Sequence, residues 1–567
     1  MMISRFILII IVVILSGLPS HADTFDTSRT WHNLLYYERS GDGYISLAHG
    51  DNFFISEEGP VNPKAEYQAS VERVIHQDPE FRKKFPLRYK ILANHLGVPY
   101  QPLVKPDPRI QGVTLAYPNR YMANPASMLG HVFIVFNSMY GRMDSDLFHH
   151  IADPSHPNGS YILNGLTGKF KSQYYSEPFY KRIKTYTYTE DRDIIYFDLN
   201  VSADQIENLL LHKKEVESSF YYYYFLSKNC VFFIGKFLNV VLDDDVIEKA
   251  HLVYPAQLIN RLSQKGLLQN QYHRESSTKQ FRKQYATLTG FEKKAVQQLL
   301  TEPVLTVPTN PNVLRPFLSI SEYMINNNSQ RISAIRHNRI LAYQHLKKVG
   351  NATVRPLDRY APHVTGILSK QWRMDSISPN QWGIAYHPIY YDNDFNDIEI
   401  KRLNALAPRL SITTTNSVQM GLTIVDIATI TRQNAILKPR SWLLGSYIGY
   451  TNGVTTDQWY AQGSTYSLGK TSVIGFFLGA NWANYSRLRE SPLTHLGLYP
   501  YANLHFINNG IHPHLKFTID VGYQYASGYI LPRIEWPWGP LYYGVDYMHD
   551  LSGTDHRIRA SARLLLY

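Results

Sequence analysis

The sequence predicts a multidomain chain: a small α-helical N-terminal region, an α+β domain, a helical connector and a C-terminal antiparallel β-barrel of ten to twelve strands. Three observations lead there. At 567 residues the chain exceeds what one core organises, since a single core seldom grows past ~250 to 300 residues. Between about 111 and 262, short apolar runs of strand length alternate with helical periodicity. Beyond Pro362 the texture changes to roughly ten-residue segments rich in Tyr, Thr, Gly and Trp, separated by polar turn residues.

The N-terminus carries Arg5, an apolar run from Phe6 to Leu15, and Ser20-His21-Ala22, the pattern of an export signal cleaved after Ala22. Residues 1–22 are therefore expected to be a signal peptide. No later stretch offers the ~20 consecutive apolar residues of a spanning helix. From 23 to 110 the spacing of Trp31, Leu34 and Leu35, a helix opened by Pro63, and a third over 85–96 describe a helical region. In the α+β domain (111–275), strands are expected over 111–117, 131–136 and 193–199 and a helix over 202–216. The connector (276–358) holds helices over 291–300 and 329–349, with Pro303, Pro308, Pro311 and Pro316 between them; a solvated linker is the competing reading. In the last region (359–567), strands are expected near 364–374, 381–391, 398–413, 417–431, 440–451, 456–468, 471–486, 495–507, 513–527, 539–550 and 556–567. A barrel of bacterial type has an even number, hence ten or twelve. A soluble sandwich is the rival architecture, because the apolar phase of the final strand is opposite to that of its aromatic terminus, Tyr567.

The balance of 57 Lys and Arg against 46 Asp and Glu leaves +11, compatible with an anionic surface such as lipid headgroups or lipopolysaccharide. Export argues against nucleic acid. The 43 tyrosines suit a membrane interface.

The chain has a single cysteine, Cys230, which cannot form an internal disulfide. A free thiol in an oxidising compartment is either buried or used. Asn229 before it and the apolar run after it read as an N-cap and a helix, which places the thiol at the positive end of the helix dipole and is expected to lower its pKa. Backbone N–H groups at that helix start are also candidates for an oxyanion hole. A thiolate nucleophile needs an imidazole partner, and His131, at the start of an apolar strand, is the leading candidate for general base. Asn137, His149 and His150 are weaker candidates to orient that imidazole. Asn229, Ser127 and Tyr224 are candidates for substrate binding. No histidine arrangement has metal-ligand spacing, and no cofactor is expected. The segment Gly463 to Thr471 imitates a phosphate loop but has five residues between its glycines where the motif needs four.

The run Asn124-Pro-Ala-Ser-Met-Leu-Gly-His131, then Glu190-Asp191-Arg192-Asp193, then Tyr224-Phe-Leu-Ser-Lys-Asn-Cys230 resembles the periplasmic domain of Lnb-type bacterial lipoprotein N-acyltransferases, over about residues 112–260. Asn62 to Glu66 and Phe85 to Tyr89 look like the helical N-terminal region of that family's barrel-bearing branch. The order of motifs is also similar to the circularly permuted papain-like (NlpC/P60-like) hydrolases, the group that includes lecithin-retinol acyltransferase. The resemblance implies Cys230 as nucleophile and His131 as base, an acyl-thioester intermediate, and phospholipid, lipoprotein or lipopolysaccharide as partner at the outer membrane, with the N-terminal domains in the periplasm. Lnb-type acyltransferases carry helical membrane segments after this domain, whereas here a barrel is expected. Two other readings stand beside it: a papain-like peptidase or amidase acting on cell-wall peptide, and a non-catalytic barrel protein for transport or envelope assembly.

Overall fold

A computed structural model of the chain describes residues 22–50, 53–119, 121, 127, 130–152, 160–242, 244–247, 252–327, 331–348, 358–359 and, beyond these, 369–378, 381–391, 400–413, 418–433, 436–437, 440–450, 454–468, 472–485, 495–512, 515–524, 527–538, 541–550 and 556–566. The expected export signal lies outside them up to residue 21. Two compact units emerge, one made of 1–279 with 322–327 and 352–360, the other of 280–321 with 328–351 and 361–567.

The first unit opens with α1 (Arg29–Leu34), the hairpin β1 (Tyr37–Ser40) and β2 (Gly43–Ser46), and three helices that each begin with proline: α2 (Pro63–Ile75), α3 (Pro79–Lys84) and α4 (Pro86–Leu96). Proline at the first helical position forfeits an N–H that has no partner there anyway. Asn62 and Asp78 cap α2 and α3 through their side chains, and Gly97 ends α4 at φ 66°.

An antiparallel sheet follows, built from β3 (Ile110–Pro118), β4 (Phe133–Ser138), β5 (Asp146–Ala152), β6 (Phe170–Pro178), β7 (Ile194–Leu199), β8 (Tyr221–Tyr223) and β9 (Leu268–Arg274). The two-residue piece Asp358–Arg359 lies outside β9, and the order continues β9, β7, β3, β4, β5, β6, β8. Between strands run α5 (Tyr161–Thr167), α6 (Phe179–Ile183), a π-helical turn Lys184–Thr189, α7 (Ala203–Val216), α8 (Cys230–Asn239) and α9 (Pro255–Gln264).

β4 is central, so both of its faces are covered and it is apolar from Phe133 to Phe136. Phe133 and Val135 pack with Ala116, Leu147, Phe179, Ile183 and Tyr186. On the other face Phe136 meets Phe148, which lies 4.6 Å, ring to ring, from Phe237 of α8. All ten residues of α8 are buried, which explains its unbroken apolar sequence.

β5 and β6 are not apparent from periodicity. His149 and His150 interrupt the apolar run of β5, yet both are buried between neighbouring aromatics.

After α10 (Ser277–Ala286), whose residues from Gln280 on belong to the second unit, that unit contains α11 (Gly290–Thr301) and α13 (Ile332–Lys348), both near their expected places, and α12 (Pro311–Asn327) as far as Ser321, a helix that includes Pro316. Pro311 starts that helix, while Pro316 removes one internal hydrogen bond without ending it.

Twelve long strands are present among the described residues: β10 (Ser369–Ser378), β11 (Gln381–Tyr391), β12 (Ile400–Thr413), β13 (Val418–Ile430), β14 (Ser441–Tyr450), β15 (Val454–Leu468), β16 (Ser472–Tyr485), β17 (His495–His512), β18 (Leu515–Gln524), β19 (Ser527–Trp538), β20 (Leu541–Asp550) and β21 (His556–Leu566). Consecutive strands pair antiparallel, and β10 pairs with β21. The ladder of pairings thus returns on itself, without an unpaired long edge. The strand absent from the sequence expectation is β19. Its two prolines, Pro532 and Pro537, argue against a central strand, and its pairing with β20 skips Leu531 and Pro532.

Along β13, Val418, Met420, Leu422 and Ile424 are exposed while the residues between them are half-buried. Cross-strand partners extend that apolar face: Leu410 opposes Met420, and Leu422 opposes the exposed Ile448. On the other face Gly421 and Gly445 have aromatic rings, Tyr447 and Trp459, where a Cβ would stand.

Candidate functional site

The chain around Cys230 is built by one amide. The Asn229 side-chain oxygen accepts the N–H groups of Val231 (3.0 Å) and Phe232 (3.3 Å), and its NH2 donates to the carbonyls of Phe225 (3.1 Å) and Val253 (2.7 Å). Those four bonds exhaust the amide's capacity. Asn229 caps α8 and ties two loops to it, so it has nothing left for a substrate, contrary to the sequence expectation. The N–H of Cys230 goes to the Tyr223 hydroxyl at 3.3 Å. The expected oxyanion donors at this helix start are therefore already engaged.

Cys230 is 3% exposed. Burial pushes its thiol pKa up, against backbone hydrogen bonds of Val132 and Val231, the Tyr223 hydroxyl and the Arg192 charge, which hold it down. The sequence expectation of a lowered pKa is corrected: desolvation outweighs the helix start. A hydrogen bond that favours thiolate comes from a donor, so Val132, the residue after His131, directs its N–H at the sulfur. The start of β4 and the start of α8 meet there.

Gly130 makes that approach possible. Its φ is +87°, and a Cβ would lie 2.6 Å from the Tyr117 ring. His131 follows, half-buried, with Nε2 shielded and without a hydrogen-bond partner among the described residues. Burial drives its pKa well below 6.5, helped by His149, Arg192, Arg182 and His150. The imidazole is neutral at rest and available as a proton acceptor.

The motif Glu190-Asp191-Arg192-Asp193, for which the sequence suggests only a salt-bridged strand entrance, packs Arg192 beside this pair. Its guanidinium is buried, donates to the carbonyls of Pro118 (3.0 Å) and Asn119, pairs with Glu190 at 2.7 Å, and lies 4.8 Å over the Tyr186 ring. Asp193 is separately engaged, 3.2 Å from His273 and 3.0 Å from Lys279. Sequence reasoning passed over Tyr186, Arg192 and Tyr223 as site residues. The signal was present only for Arg192, through its motif, since nothing in a four-tyrosine run marks Tyr223.

The weaker candidates separate. Asn137 donates to Thr114 Oγ1 at 2.7 Å, six residues along from His131, about 20 Å at strand spacing, and cannot orient it. His149 shares the His131 face, the rings 6.0 Å apart and edge to face. Its Nε2 is 3.3 Å from Glu177, but without hydrogen-bond geometry, and Glu177 is engaged by Arg182. Burial and the Arg182 charge lower its pKa to about 3, so it is neutral, and neither of its ring nitrogens has a hydrogen-bond partner among the described residues, His131 included. His150 points to the opposite face and stacks on Phe233 at 4.0 Å. The Ser127 carbonyl accepts the N–H groups of Tyr121 and Gly130, a turn-forming role. Tyr224 covers Gly168, the left-handed residue that ends α5. Among the described residues no three His, Cys, Asp or Glu side chains converge as metal ligands.

Residues 105–265 match the family described as the Lnb N-terminal periplasmic domain. Residues 23–95 match a domain of unknown function, DUF7843. No curated protein matches the chain. Similar solved structures include the KdgM porin in complex with disordered oligogalacturonate, at a TM-score of 0.24 and 7% identity over 35% of this chain and 99% of that one. The NanC porin is similar at 0.22 and 12%, with the same coverage. Likeness at such TM-scores carries no argument.

Proposed function

From the match of residues 105–265 to the Lnb N-terminal periplasmic domain, we propose that the chain is an outer-membrane protein whose periplasmic unit carries out cysteine-dependent acyl transfer or acyl hydrolysis on a lipid or lipoprotein. The observation that carries this reading is the meeting of Cys230, at a capped helix start, with the strand start that bears His131, where burial keeps both groups neutral. The second unit supports the location. Its returning ladder of twelve long strands, with alternate apolar residues exposed on β13, is what a barrel in a bilayer requires.

In the reaction, the sulfur attacks the donor's acyl carbonyl carbon as the thiol proton passes to Nε2 of His131. The carbonyl becomes an oxyanion, for which the Tyr223 hydroxyl and the Val132 N–H, both at the Cys230 sulfur, are the candidate donors. Collapse breaks the bond to the leaving oxygen, which takes the proton from the imidazolium and leaves an acyl-thioester. An amine, hydroxyl or water then attacks the thioester, gives its proton to His131, and the thiolate departs and is reprotonated. Arg182 and Arg192 disfavour the imidazolium, so they favour rapid proton return.

The test is intact-mass analysis of protein purified from membranes, wild type beside Cys230→Ala and His131→Ala, with and without neutral hydroxylamine. A hydroxylamine-labile acyl adduct in wild type that is absent from Cys230→Ala supports the thioester and identifies its chain by mass. A bare wild-type protein with a thiol inert to alkylation in the folded state refutes it.

A further inference from the structure

The helix that carries Cys230 is gripped by residues from the N-terminal module, 23–95. Just before α8, Lys228 Nζ lies 3.1 Å from the Glu38 carboxylate. At its far end Arg29 donates to the carbonyls of Leu242 (2.7 Å) and Asn239 (3.4 Å), and Asn33 donates to that of Asn239 (3.3 Å). Terminal helix carbonyls lack internal donors, and a guanidinium is favoured at the negative end of the dipole.

The third attachment reaches the first turn. The Tyr36 hydroxyl donates to that of Tyr174 at 3.0 Å, and Tyr174 donates to the Phe233 carbonyl at 2.6 Å. Behind Tyr36, His212 Nε2 lies 3.3 Å from its oxygen, and Nδ1 lies 3.2 Å from Glu215. The other Glu215 oxygen accepts the Arg88 N–H at 2.7 Å, and Arg88 pairs with Glu66 at 2.9 Å. All six side chains are buried. Tyr36 is held at φ +59°, a conformation that an aromatic residue keeps only where its surroundings impose it. A fully buried α8 could rest on apolar packing alone, so this polar chain does something packing does not: it sets the rotation and height of the first turn.

We propose that Tyr36 and Tyr174 are positioning residues for Cys230, and that the N-terminal module works as a clamp on the thiol's helix. The inference rests on the reading of Cys230 as nucleophile. It has a distinguishing property: the hydrogen-bonded route from the Tyr36 hydroxyl to α8 runs through Tyr174.

The experiment uses the full chain and follows alkylation of Cys230 by iodoacetamide from neutral to alkaline pH in wild type, Tyr36→Phe, Tyr174→Phe and the double variant. The hydroxylamine-labile adduct is quantified in the same samples. Each single variant is expected to move the pH profile of alkylation and to lower adduct yield about tenfold, within the range that small misplacements cost. The double variant should be no worse than Tyr174→Phe. Losses that multiply in the double variant, or unmoved profiles in variants that merely melt earlier, overturn the proposal. Glu38→Gln, which releases the attachment ahead of α8, should move the profile in the same direction and repeats the test where a tyrosine variant does not fold. Coupled profile shifts without any adduct in wild type would keep the clamp and remove the acyl reading; an adduct with unmoved profiles would do the reverse.

Discussion

Replacing Asn229 with alanine separates a structural amide from a substrate-binding one. Loss of the cap on Val231 and Phe232 costs about 1 kcal/mol. The carbonyls of Phe225 and Val253 lose their amide donor in a buried setting, at about 1–3 kcal/mol each. Together the change is worth about 3–7 kcal/mol, a large part of the ~5–15 kcal/mol that stabilises an ordinary domain. The single cysteine, 3% exposed, is its own reporter: labelling by a bulky maleimide along a urea gradient reads the unfolding of its surroundings. The midpoint should fall by the equivalent of that energy. Asn229→Asp keeps the cap but turns an oxygen toward the same two carbonyls, so it should be no better than alanine. A shift below about 1 kcal/mol, the size of an ordinary surface substitution, together with loss of the acyl adduct would refute this reasoning and return Asn229 to substrate contact.

Other outcomes are open to measurement. Gly130→Ala forces a side chain into φ +87° and against the Tyr117 ring; it should cost about 1–3 kcal/mol, seen as an earlier melt and a reduced acyl adduct. Arg192→Met removes a charge that holds the Cys230 pKa down and orphans the Pro118 and Asn119 carbonyls, so the alkylation midpoint should rise; an unchanged midpoint would disconnect Arg192 from the thiol. The His149 pKa is about 3 when folded against 6.5 in the unfolded chain. Between those values only the unfolded chain takes up the proton, so this stabilisation is complete above pH 6.5 and is lost as the pH falls toward 3. At pH 5 the loss is about 2 kcal/mol, and His149→Phe should move the acid-unfolding midpoint to lower pH.

Much of the site was legible because its signals are local. A cap residue, a cysteine and an apolar helix are adjacent in the chain, so Asn229 and Cys230 needed no tertiary information, and Gly130 before His131 belongs to the same kind of pattern. The strands of the C-terminal region were legible for a related reason, since alternation and turn residues recur within each segment. β19 escaped because proline is normally excluded from a paired strand, and β5 because two histidines interrupt its apolar run. Neither obstacle can be judged without knowing which neighbours supply the missing hydrogen bonds and aromatic cover.

The sequence by itself determined that this chain has one thiol, a helix to carry it, an imidazole at a strand start, and strands enough for a barrel. Tertiary structure alone decided the protonation of the pair, because burial raises the thiol pKa and lowers that of His131, where helix position alone favours thiolate. It alone sent Asn137 to the far end of β4, His150 to the opposite face, and Arg192, Tyr186 and Tyr223 to the thiol. Desolvation and long-range packing depend on residues distant in the chain, and no local pattern records them.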